Sequence, residues 1–129
     1  MDKLLKYNGV QEALKFLRED DERTLQEHLE MCQIPAPSYE KAEYVRKKMV
    51  DAGLSEVHVD EVGNVLGTWK GTGNGPRIMV AGHTDTVFPR ETDLTLKKEG
   101  ERYSCPGIGD DTRAVAELLS LARAMNATG

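Results

Sequence analysis

Long apolar runs, a cysteine framework and a surplus of basic charge are all missing from these 129 residues. No stretch approaches the roughly 20 consecutive apolar residues of a membrane span, so no membrane partner is expected. The two cysteines, Cys32 and Cys105, are too few and too far apart for a disulfide framework and are read as reduced thiols. The net charge is -5, and the longest basic cluster is Arg46-Lys47-Lys48, which falls in a helical pattern facing solvent. Nucleic acid is therefore not an expected partner. The opening Met1-Asp2-Lys3-Leu4-Leu5-Lys6 interleaves charges with leucines and lacks the continuous apolar core of a secretion signal, which points to a cytoplasmic protein. What is present is a composition of 39% hydrophobic and 30% charged residues, that of a soluble globular chain about the size of one domain or part of one.

Hydrophobic periodicity divides the chain. Val10, Ala13, Leu14 and Leu17, then Leu25, Leu29 and Cys32, recur at helical spacing and predict two amphipathic helices broken near Glu19-Asp20-Asp21. Pro35 and Pro37 stop the second. Ser38 is placed to cap a third helix carrying Ala42, Val45 and Met49 on one face, and Gly53 stands where a left-handed residue ends such a helix. The period then shortens: Val57, Val59 and Val62 alternate with polar residues, and Gly63-Asn64 turns the chain into a second strand over Val65 to Trp69. The glycine-rich segment 71–76 lacks the Lys-Ser or Lys-Thr of a phosphate-cradling loop and reads as a hairpin loop. Ile78 to Ala81 is continuously apolar, as expected of a central strand covered on both faces. A small hairpin is expected around Glu99-Gly100, and Val115, Leu118, Leu119, Ala122 and Met125 form the apolar face of a last helix. Helices alternating with strands in this way predict an α/β fold, with layered helices around a mixed sheet.

The residues able to carry chemistry gather at two points. His83 and Asp85 follow the most apolar segment, and residues two apart on a strand point to the same side, so the carboxylate can orient the imidazole. An isolated His-x-Asp pair is more often a satisfied strand-end histidine with a turn-forming aspartate behind it; the small neighbours Gly82 and Thr84 leave room for a ligand. Asp110 and Asp111 follow Gly107-Ile108-Gly109 and open the last helix, where aspartate is a favoured cap. A carboxylate held at so tight a turn can also bridge two metal ions with its two oxygens. His28 shares a stripe with Leu25, Leu29 and Cys32 and reads as a packing histidine, and His58 falls on the polar side of its strand. Cys105, close to the aspartate pair, reads as a small buried hydrophobe.

Taken together, Ile34-Pro35-Ala36-Pro37-Ser38, Gly63-Asn64-Val65, Gly82-His83-Thr84-Asp85-Thr86-Val87 and Pro106-Gly107-Ile108-Gly109-Asp110-Asp111 resemble the N-terminal part of the zinc amidohydrolase family that includes aminoacylase, peptidase T, acetylornithine deacetylase and succinyl-diaminopimelate desuccinylase. The similarity runs from about Leu25 to the end. It implies that His83 is a ligand of one zinc, that Asp110 bridges two, and that Asp85 is the catalytic-site carboxylate that steers His83 without binding metal. It also implies a cis peptide between Asp110 and Asp111. Cobalt or manganese would suit the same ligand types. The implied reaction is hydrolysis of an amide bond in a small peptide or N-acyl amino acid by a water activated between the metals.

The family's general-base glutamate and its remaining ligands lie beyond the bridging aspartate and have no counterpart here. Glu117, the only acidic residue after Asp111, does not fit the Glu-Glu pattern. Cys105 stands where many relatives have glycine, and Thr112-Arg113 replaces a frequent Lys-Gly. Residues 1–129 are thus expected to be a partial catalytic domain, truncated at the C-terminus, without the inserted dimerisation domain, and inactive alone. A homodimer, a complementing C-terminal chain, or a non-catalytic module on the same scaffold are the alternatives this reading leaves open.

Overall fold

The structure, a computed structural model, describes residues 3–129. Met1 and Asp2, which begin the N-terminal stretch read above as lacking a secretion signal, lie outside the described residues. After a single 3-10 turn at Leu4–Lys6 come helices α1 (Asn8–Glu19), α2 (Asp21–Cys32) and α3 (Tyr39–Asp51), strands β1 (Ser55–Val59) and β2 (Val65–Thr68), strands β3 (Lys97–Glu99) and β4 (Arg102–Ser104), and helix α4 (Thr112–Thr128). The fold is α/β. Its strands form two separate antiparallel pairs, β1 with β2 and β3 with β4.

Local chemistry accounts for most of the boundaries. Ser38 has extended backbone (φ -153°, ψ 151°), and its hydroxyl accepts from the Lys41 amide at 3.1 Å, which satisfies one of the free donors at the start of α3. Gly53 ends that helix at φ +83°, a conformation that costs a residue with a Cβ, and Asn126 of α4 packs where that Cβ would project. Asp60 organises the β1–β2 turn: its carboxylate accepts from the amides of Val62 and Asn64 at 3.0 and 2.8 Å, with Gly63 at φ +93°.

The core lies between α2, α3 and α4, where Met31, Val45, Val115, Ala116 and Leu119 are buried against one another and Tyr44, Met49 and Val65 close the edges. Each large side chain buried in this way contributes on the order of 1.5–3 kcal/mol. A polar tie joins the same elements. Arg123 of α4 donates to Asp20 Oδ2 through Nε (2.9 Å) and Nη2 (2.6 Å), to Glu27 Oε2 at 2.6 Å and to Thr24 Oγ1 at 3.2 Å, all in a buried setting. Asp20 separates α1 from α2 and Glu27 lies within α2, so one guanidinium locks α4 onto both.

One segment departs from expectation. Ile78 to Ala81, predicted as a covered central strand, belongs to no strand and is unpaired, with Ile78, Met79 and Val80 83%, 85% and 61% exposed. Apolarity records a tendency to be buried, whereas a strand also needs a neighbour for its amides and carbonyls, and no strand lies beside this one among the described residues. The loop at 71–76 consequently does not close a hairpin. No helix among the described residues is long and apolar enough to cross a membrane.

Candidate metal centre

The unpaired segment runs straight into Gly82 and His83, and the turn before α4 brings Asp110 and Asp111 against them. His83 Nε2 lies 3.0 Å from Asp110 Oδ1, and the main-chain amide of His83 donates to Asp111 Oδ2 at 3.2 Å. On the other side of the ring, Nδ1 faces Asp85 twice, at 3.1 Å from its carbonyl and 3.3 Å from its carboxylate. Asp85 thus meets the ring nitrogen turned away from Asp110, with the carbonyl the nearer of its two acceptors.

These contacts set the electrostatics. The Asp85 carbonyl is the chief cause that raises the His83 pKa above its usual 6.5; desolvation opposes it, while the Asp110 hydrogen bond and the charges of Asp111 and Asp85 reinforce it. Below the site, buried Lys41 donates to Thr112 Oγ1 at 3.4 Å, anchoring the first residue of α4. Desolvation lowers the Lys41 pKa, and the nearby Cys32, Cys105 and Asp85 partly offset that shift.

The turn has its own constraints. Gly107 sits at φ +76°, and a Cβ there would come within 2.8 Å of Thr86 Cγ2, so both conformation and space require glycine. Gly109 is not in the left-handed region. Gly82 is closely approached: a Cβ there would lie 3.2 Å from Asp111 Oδ2, a tight contact, and 3.4 Å from Leu118 Cδ1. The peptide between Asp110 and Asp111 is cis, as the resemblance implies, and Ala36-Pro37 is a second cis bond.

His83, Asp110 and Asp111 each offer a ligand atom, and the three atoms lie within 4.8 Å of one another. Zinc binds imidazole nitrogen and carboxylate oxygen at about 2.0–2.2 Å, so donors spaced this way need only small side-chain adjustments to share an ion. The donor set, one imidazole and two carboxylates, is chemically suited to zinc, cobalt or manganese. Beside it opens a cleft of about 330 Å³ lined by His83, Asp85, Val87, Phe88, Gly107 and Asp110 among others. Asp111 adds a carboxylate that sequence reasoning treated as a cap. It occupies the cap position of α4, yet its side chain makes no capping bond and turns to the His83 amide instead.

The remaining candidates lie elsewhere. Cys105 directs its thiol at the carbonyls of Leu94 and Cys32, 3.4 Å from each, and Cys32 is pushed up to about 12 by burial and by Cys105, so these buried groups are thiols held in the core. His58 is exposed on β1, with its Nδ1 2.8 Å from the Glu56 carbonyl. His28 is buried, as its stripe predicts, but its Nε2 lies 2.6 Å from the carbonyl of Ile108 in the aspartate-bearing turn.

Residues 64–129, just over half of the chain, match Peptidase family M28. The chain belongs to that peptidase family. M28 is related to the aminoacylase and peptidase T group whose motifs the sequence resembles. The matched span contains His83, Asp85, Asp110 and Asp111. A protein of Pyrococcus abyssi named as a LysW-lysine/LysW-ornithine hydrolase is 34% identical over 79 residues, which cover 59% of this chain and 19% of the relative. The chain thus spans about a fifth of the length of the curated relative it matches.

Proposed function

We propose that these residues form part of the metal centre of an amide hydrolase acting on small peptides or N-acyl amino acids. The observation that carries the reading is the convergence of His83, Asp110 and Asp111 within 4.8 Å beside an open cleft, in the segment that matches a peptidase family. His83 and the Asp110 carboxylate would hold zinc, with Asp110 the residue able to be shared with a second ion. When bound, zinc lowers the pKa of a coordinated water to about 7 and polarises the amide carbonyl.

The chain's own residues do the positioning. Asp85 accepts a hydrogen bond from His83 Nδ1 through its carbonyl and carboxylate and so keeps Nε2 directed toward Asp110. Asp111 holds the His83 main chain by its amide, which fixes the end of the unpaired segment against the start of α4. Gly82 and Gly107 allow the two backbones to approach. A proton-transfer base is not among these groups, since Glu117 is engaged with Arg113 at 2.6 Å on the exposed face of α4. The base and further ligands would come from outside these 129 residues, in keeping with the far greater length of the relative. The relative's name supports a substrate in which an amino acid such as lysine or ornithine is released from a conjugate.

The test is direct titration of the chain with Co²⁺, followed by the visible absorption of the bound ion. One bound equivalent is expected, lost in His83→Ala and in Asp110→Asn with the fold retained by circular dichroism. Absence of binding, or equal binding by both variants, would refute the reading and leave a scaffold in which Asp110 is only a turn residue.

A further inference from the structure

The Asp110 side chain is 92% exposed, and His83 is the one group among the described residues to which it bonds. Its carboxylate therefore takes its place from the main chain of the turn. That turn is held from behind by His28 of α2, whose Nε2 meets the carbonyl of Ile108, eighty positions along the chain, at 2.6 Å. A carbonyl only accepts, so Nε2 carries the proton and donates it. The other nitrogen, Nδ1, is buried with no partner among the described residues. An orphaned buried nitrogen costs free energy that an apolar side chain on this stripe would not incur, so packing alone is a poor explanation for histidine here. What histidine adds is the bond to Ile108. The same residue's amide donates to the Cys105 carbonyl at 3.1 Å, so Ile108 is gripped through both main-chain groups two positions before Asp110.

We propose that His28 is a positioning residue for the metal centre: through the Ile108 carbonyl it sets where the Asp110 carboxylate stands relative to His83. The proposal rests on the metal reading above. It separates His28 from ordinary core residues, because its effect passes through one donated hydrogen bond rather than through volume.

The experiment compares His28→Phe, His28→Gln and His28→Asn in the full chain by two readouts, Co²⁺ affinity and hydrogen exchange at the Ile108 amide. Phenylalanine keeps a ring but donates nothing; glutamine can place an amide N–H near the position of Nε2; asparagine is polar but too short. Loss of one buried hydrogen bond corresponds to roughly a tenfold change in an equilibrium. His28→Phe and His28→Asn are expected to lower Co²⁺ affinity and Ile108 protection by about tenfold each, and His28→Gln to restore both to within about threefold of the parent. If the phenylalanine variant does not fold, the difference between glutamine and asparagine carries the same test. Unchanged affinity and protection in all variants, or equal losses in glutamine and asparagine, would overturn the proposal. If the parent chain takes up no Co²⁺, the metal reading itself fails, and exchange at Ile108 then decides whether His28 holds the turn.

Discussion

Replacing Arg123 with methionine should cost this chain a large share of its stability. The substitution keeps much of the aliphatic stem but removes four hydrogen bonds, two to Asp20, one to Glu27 and one to Thr24. It leaves two buried carboxylates without their main cation. Breaking a buried pair from one side costs about 3–5 kcal/mol, most of it the penalty of the stranded charge. Here the lower end applies, because each carboxylate keeps other partners: Glu27 has Arg23 at 3.2 Å and Lys48 at 3.4 Å, and Asp20 has Ser120 at 3.0 Å. A loss of about 3 kcal/mol compares with a total of about 5–15 kcal/mol for an ordinary domain. With a urea slope of about 1–3 kcal/mol per molar, the unfolding midpoint should fall by about 1–3 M. Adding Glu27→Gln to Arg123→Met should recover part of the loss, since the cost lies in uncompensated charge. A midpoint shift below about 0.3 M, or further destabilisation on neutralising Glu27, would refute the argument that this tie anchors α4 and the site at its N-terminus.

Metal affinity should depend on pH through His83. Its pKa is raised above 6.5, so its paired form stabilises the fold fully below 6.5, and that contribution is lost as pH rises through the folded value; metal must displace the same proton. Co²⁺ affinity titrated from about pH 5 to about pH 9 is expected to climb by about tenfold per unit on the acid side and then level off, and a flat profile would count against His83 as a ligand. The uncovered Ile78-Met79-Val80 edge should promote concentration-dependent self-association, visible by sedimentation velocity and reduced by Met79→Lys. Equal behaviour of the two proteins would show that this edge does not mediate contact.

The helices were legible because their signals are local. The break near Asp20, the Ser38 cap and the glycine after α3 each act within a turn of the chain, and each stands where the periodicity placed it. The two halves of the site were legible for a similar reason: His83 and Asp85 are two apart, and Asp110 is tied to a short glycine turn. Roles that depend on distant partners were not. Arg123 shows no local sign of burial, since the carboxylates that allow it lie about a hundred positions earlier. The apolarity of Ile78 to Ala81 gives no information about which strand, if any, lies beside it.

Asp111 shows how a correct propensity can still misplace a side chain. Aspartate before a helix is favoured because, with extended backbone, its carboxylate reaches forward to the free amides of the first turn. Ser38, at ψ 151°, does this for α3. Asp111 occupies the equivalent position before α4 at φ -123° and ψ 25°, outside that conformation, and its carboxylate makes no bond to the helix it begins. The side chain is left to take the His83 amide, beside Gly82, where a Cβ would crowd the same carboxylate at 3.2 Å. Whether such a residue caps its helix or joins a cluster of ligand atoms is decided by its own ψ and by a neighbour twenty-eight positions away, and neither is written in the dipeptide Asp110-Asp111.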